Sequence, residues 1–100
     1  MSIDAFNTEL HHLLDAPTRP QQILTAVASA LLSEDPHQPL TLDALNDYLR
    51  GASLVITDQL PDVVATQVIE TAARALPSIH DGETPDAYAL RLRDVARGLR

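Results

Sequence analysis

The longest helical pattern in the chain begins at Thr41. Stepped at about 100° per residue, Leu42, Leu45, Leu49, Ala52, Ile56 and Leu60 fall on one face, and Asp43, Asn46, Asp47, Arg50, Thr57 and Asp58 on the other. Thr41 supplies a hydroxyl that can accept from a free N–H of the first turn, and Asp43 suits the positive end of the helix dipole. Gly51 weakens the helix by roughly 1 kcal/mol relative to Ala, yet the apolar stripe runs through it unbroken. The pattern therefore predicts one helix over about 41–60. Pro61 removes a backbone donor and biases Leu60 away from helical angles, and Pro followed by Asp62 is good first-turn chemistry. A new helix over 62–76 is expected rather than a kink.

That second helix is apolar almost all round: Val63, Val64, Ala65, Val68, Ile69, Ala72, Ala73, Ala75 and Leu76. Gln67, Glu70 and Arg74, flanked by Thr66 and Thr71, leave a narrow wet strip, which predicts a central place in a bundle. The run is too short for a membrane span, and Glu70 and Arg74 interrupt it.

Three more amphipathic segments follow from the same periodicity. Residues 3–15 carry Ile3, Phe6, Leu10, Leu13 and Leu14 on one face and Asp4, Thr8, His11 and Asp15 on the other. Residues 20–33, with Thr18 as a cap, carry the stripe Ile23, Leu24, Val27, Ala28, Leu31 and Leu32, with Gln22, Thr25 and Ser29 outward. Residues 85–99 place Tyr88, Leu92, Val95 and Leu99 in a narrow arc opposite Arg93, Arg97 and Arg100. Ser2, Thr41 and Thr84 each precede an acid and then a large apolar residue, and mark three helix starts. Proline-bearing loops fall at 34–40 and 77–83, and no segment alternates as a strand would. The fold class is all-α: a compact bundle of four to five helices, about 3–15, 20–33, 41–60, 62–76 and 85–99, in a single domain spanning 1–100.

Composition narrows the function. One hundred residues with 45% hydrophobic content support one core without staples. With three aromatics, that core must be Leu, Val, Ile and Ala. The chain lacks cysteine, which removes disulfides and thiolate metal sites. It also lacks lysine, a composition that suits GC-rich bacterial coding. Met1-Ser2-Ile3-Asp4 is unlike a signal peptide, and the expected location is cytoplasmic. The net charge of −7 is uneven: residues 1–49 hold seven acids against one arginine, and residues 85–100 hold four arginines against two acids. Phosphate backbones would repel the whole chain, so direct nucleic-acid binding is disfavoured. Arg91, Arg93, Arg97 and Arg100 are expected to pair with the acidic front half, within the chain or across a dimer.

Candidate chemistry is sparse. His11 and Asp15 share a helical face, but His37 and His80 stand alone in loops and supply no second ligand pair, so no metal or other cofactor is expected. There is no nucleophile motif, and three scattered glycines form no phosphate cradle. A non-enzymatic protein is expected.

Two leucines break the pattern. Leu54 lies about 170° from the middle of its helix's apolar face, beside Arg50 and Asp58; Leu90 lies about 180° from its own, between Asp86 and Arg97. Single exposed leucines are ordinary. Together, Leu54, Leu90, Arg50, Asp58 and Arg97 form a candidate partner or homodimer surface. An alternative uses the acids Glu34, Asp35, Asp43, Asp47, Asp58 and Asp62, which could imitate a phosphate array and occupy a basic groove on a nucleic-acid-binding protein.

Leu49-Arg50-Gly51, Ala72-Ala73-Arg74-Ala75-Leu76-Pro77 and Ala87-Tyr88-Ala89-Leu90 ahead of Ala96-Arg97 resemble a family of small helical actinomycete proteins. The likeness covers about the second half of the chain and departs around Thr57–Pro61. Members occur in regulatory and natural-product gene neighbourhoods and have no established activity. The resemblance implies a cytoplasmic helical domain and brings no site residues. The expected function is a protein–protein interaction domain with an accessory or regulatory role, a homodimer being one form.

Overall fold

A computed structural model describes residues 18–99. These form four helices: α1 (Arg19–Leu31), α2 (Leu42–Ile56), α3 (Asp62–Ala75) and α4 (Pro85–Gly98), with no strand among the described residues. The class is all-α, as the periodicity implies. The expected helix over 3–15, with His11 and His12, lies outside the described residues.

The hub is α1. Thr18 and Gln21 cap it reciprocally: the Gln21 N–H donates to the Thr18 hydroxyl at 3.4 Å, and the Thr18 N–H donates to Gln21 Oε1 at 2.7 Å. Ile23, Leu24, Val27, Ala28 and Leu31 are all fully buried. The helix makes its largest interface with α4, then with α2, then with α3, and the outer three make little contact with one another. Leu32, expected in the stripe, forms the C-cap instead and is exposed; the helix ends at Leu31, two residues short of the expected end.

The central place expected for residues 62–76 is overturned. Val63 is 71% exposed and Val64 also faces solvent; Ala72 alone in α3 is fully buried, with Val68, Ile69 and Ala75 half-buried. The physical reason is size and reach. A helix rich in Ala and Val can be apolar on every side and still bury only one side when a neighbour covers only that side. The stripe of α1, built from Ile, Leu and Val, is wider and draws three partners.

The break at Pro61 is a separation of two helices. α2 stops at Ile56, four residues short of the expected end, and a turn closes with the Leu60 N–H donating to the Thr57 carbonyl at 3.0 Å. Thr57, expected on the wet face, is buried. Once the helix ends, its hydroxyl folds back and donates to the Ser53 carbonyl at 2.7 Å, which the Thr57 N–H also reaches at 3.0 Å. Leu42, expected on the apolar face, opens α2 beyond the reach of its neighbours and is exposed.

α4 buries Tyr88, Ala89, Leu92 and Ala96 against α1. Gln21 Nε2 donates to the Ala96 carbonyl at 2.9 Å, which joins the start of α1 to the end of α4 and fixes an antiparallel pairing. Thr84 stands at the N-cap of α4, but its hydroxyl makes no capping bond. Thr41 does cap α2, accepting from the Ala44 N–H at 3.2 Å.

The loops are knotted at Glu83. Asp81-Gly82 makes the turn, with Gly82 at φ 70°, a left-handed conformation that glycine adopts without steric cost. The turn closes with the Glu83 N–H donating to the His80 carbonyl at 3.0 Å, and the Leu40 N–H donates to the Glu83 carbonyl at 2.8 Å. The loop before α2 is thereby tied to the loop before α4.

Candidate interaction surface

Leu54 and Leu90 both face solvent, at 67% and 62% exposure. They lie on two helices that share little contact, α2 and α4, and each is exposed while other residues of its helix are buried. A contact pairing the Leu54 face of one copy with the Leu90 face of the next would be head-to-tail, and unless its rotation closed into a ring it would propagate as an open chain.

Around Leu54 stand charged and apolar neighbours. Arg50 is exposed and makes no ion pair among the described residues, and Asp58 lies exposed in the turn after α2. Next to Leu54, Val55 is 77% exposed, a residue the periodicity did not single out. Val55 borders an open apolar groove of about 340 Å³ between α1 and α2, floored by Ala26, Ala30, Gly51 and Ala52. A second hollow adjoins it, bordered by Arg19, Val55 and Ile56 and by the Asp58–Leu60 turn. Periodicity on single helices cannot reveal such a groove, because it arises from how two helices pack. The one signal in the chain is the run of small residues, Ala26 and Ala30 on α1 with Gly51 and Ala52 on α2.

Around Leu90, Arg97 pairs with Asp94 at 3.5 Å, with both side chains largely exposed. Arg91 does not reach the acidic front half as expected. Its Nη1 donates to Glu83 Oε1 at 2.6 Å, and both terminal nitrogens reach the Ser78 carbonyl at 3.2 Å. The guanidinium lies 5.7 Å from the centre of the Tyr88 ring. The partners are local because the Gly82 turn folds the loop onto the first turns of α4. Burial pushes the Glu83 carboxyl up, but the Arg91 hydrogen bond, the His80 N–H and the charges of Arg91 and His80 outweigh it and hold it below the usual value of 4.5. This cluster organises structure rather than chemistry. Arg93 is half-buried beside Gln21 and Thr25, and Arg100 lies outside the described residues.

The six acids Glu34, Asp35, Asp43, Asp47, Asp58 and Asp62 are all exposed, and none makes an ion pair among the described residues. Asp35 accepts from the His37 N–H at 2.9 Å, a local loop contact. Asp43 and Asp47 share the outward side of α2 with Arg50 and Leu54. No group of three His, Asp or Glu residues among the described residues could hold a metal ion. No helix among them is long and apolar enough to cross a membrane. The comparisons with protein-family models, with curated proteins and with solved structures find no match for this chain.

Proposed function

We propose that this chain is a non-enzymatic interaction domain that engages a protein partner through the outward face of α2. One observation carries the reading. Leu54 stands two-thirds exposed on a face otherwise made of Arg50, Asp47 and Asp58, an apolar contact ringed by charge. A cytoplasmic, accessory role in a bacterial cell, suggested by the sequence resemblance, belongs to the same proposal.

Leu54→Asp tests it. The side chain contributes little to the core, so the fold should survive. A partner that co-purifies with the wild-type chain and with Leu90→Asp, but not with Leu54→Asp, supports the proposal. A partner retained equally by all three chains overturns it. If the partner is a second copy, sedimentation velocity across protein concentration replaces co-purification, with the same expected order.

A second reading has its own support in six exposed acids, none in an ion pair among the described residues: an inhibitor that imitates nucleic acid and fills a basic groove. It predicts capture of a basic nucleic-acid-binding protein that weakens steeply with salt. Leu54→Asp should leave that capture intact, whereas charge-neutralising Asp43→Asn with Asp47→Asn should abolish it.

A further inference from the structure

We propose that the hollow between the first turns of α1 and the last turns of α4 binds a phosphate dianion, free or carried on a small organic molecule.

The hollow has a volume of about 370 Å³, is open to solvent, and is bordered among the described residues by Gln21, Thr25, Arg93, Ala96 and Arg97. That volume accommodates a phosphate group with a small organic moiety. The bond from Gln21 Nε2 to the Ala96 carbonyl at 2.9 Å sets the levels of the two helices. Arg97, next to Ala96, stands across from Gln21. Because α1 and α4 are antiparallel, the next turn of each brings Arg93 across from Thr25. Four polar side chains therefore ring one mouth.

The charge at this mouth runs against that of the chain, which is −7 overall. Arg91 finds a carboxylate on Glu83. Arg93 is half-buried, yet its side chain makes no ion pair or hydrogen bond among the described residues. α1 offers it no acid anywhere from Arg19 to Leu31. Arg97 reaches Asp94 at 3.5 Å, but the two side chains are 78% and 74% exposed, so water screens the pair and the guanidinium can turn to another anion. Like charges one turn apart on a helix repel, so Arg93 and Arg97 work against α4 until an anion lies between them.

The donors define the ligand. The Thr25 hydroxyl makes no hydrogen bond with another described residue, and Gln21 Nε2 has a second N–H beyond the one held by Ala96. No carboxylate among the described residues borders the hollow. Two guanidiniums, a hydroxyl and an amide suit an ion with two charges and several acceptor oxygens. A phosphate dianion has both, and guanidinium pairs with its oxygens in a forked geometry. A carboxylate carries one charge and would leave one arginine uncompensated. The Ala96 methyl and the arginine stems supply an apolar ledge for an organic group. The overall negative charge repels a long polyanion, which favours a small phosphate over a nucleic-acid backbone.

Calorimetric titration of the full-length chain at constant ionic strength tests the proposal, with inorganic phosphate, phenyl phosphate and acetate as probes. Phosphate should give saturable heat with a Kd of about a millimolar or tighter. Arg93→Gln and Arg97→Gln should each weaken it at least roughly tenfold, whereas Arg74→Gln, the same charge change on α3, should stay within about twofold. Arg97 is exposed, so its variant keeps the fold even if Arg93→Gln loses it. Tighter binding of phenyl phosphate than of inorganic phosphate assigns the site to an organic phosphomonoester, and equal or weaker binding assigns it to free phosphate. No saturable heat from either up to about 20 mM would overturn the proposal. So would acetate binding as tightly, or an equal loss in Arg74→Gln. None of these results involves Leu54 or a protein partner, so the proposed function stands or falls separately.

Discussion

The Tyr88 hydroxyl donates to the Pro77 carbonyl at 2.7 Å, which binds the chain leaving α3 to the buried side of α4. Tyr88 is fully buried, and this bond satisfies its one polar group. Tyr88→Phe should keep the packing and leave the Pro77 carbonyl without its partner, at a cost of about 1–2 kcal/mol. Urea denaturation of both chains measures it.

The same residue makes stability depend on high pH. Burial pushes the Tyr88 hydroxyl up to about 12, offset in part by the Arg91 charge and reinforced by that of Glu83. A group raised in the fold adds stability that is fully present below its unfolded value, near 10. That contribution should fade as pH rises from about 10 towards 12. Denaturation midpoints of the wild type should therefore fall between pH 9 and 11.5, and Tyr88→Phe should show a smaller fall.

Glu83 sets the opposite limit. Its side chain is only 6% exposed and accepts from Arg91 and from the His80 N–H at 3.0 Å. Its carboxyl is held below 4.5 in the fold, so its contribution is present above that value and lost as pH falls through the folded one. Glu83→Gln should cost about 1–3 kcal/mol at pH 7 and flatten the stability loss below pH 5. The exposed Glu70–Arg74 pair at 3.4 Å should be worth far less, and Glu70→Gln should change stability by under about 0.5 kcal/mol.

Ser53 carries a buried hydroxyl with no hydrogen-bond partner among the described residues. Ser53→Ala removes an unsatisfied polar atom and should be neutral or stabilising by up to about 1 kcal/mol, by thermal or urea denaturation. The Ser53 carbonyl, which serves Thr57, is kept in the variant.

The two faces of α3 should respond differently to substitution. Ala72 is fully buried against the hub, and Ala72→Leu should cost about 1–3 kcal/mol through overpacking. Val63→Lys, on the exposed side, should stay within about 0.5 kcal/mol of wild type.

What the sequence made legible follows from where each signal arises. The stripe of α1, the Thr18 and Thr41 caps and the break at Pro61 were readable because each is a property of one segment. The hub was misassigned because counting apolar residues favours 62–76, whereas depth depends on which neighbours cover a helix. Thr57 was placed on the wet face because a continuous helix was assumed, and an early stop lets its side chain turn back. The exposure of Leu54 and Leu90 was readable because each stands opposite the apolar stripe of its own helix. The Glu83–Arg91 pair spans a loop and a helix, and only the Gly82 turn in Asp81-Gly82 hinted that the loop folds back. The α1–α2 groove had no signal beyond four small residues on two segments.

The placement of α1 at the centre, with α2 as an outer helix whose far side is exposed, underlies the whole account. Hydrogen exchange resolved by residue tests it most directly. The amides of Ile23 to Leu31 should be the last to exchange, well after those of the first turn of α3 at Val64 and Ala65. Slower exchange throughout 62–75 than in 19–31 would put α3 at the centre and contradict it.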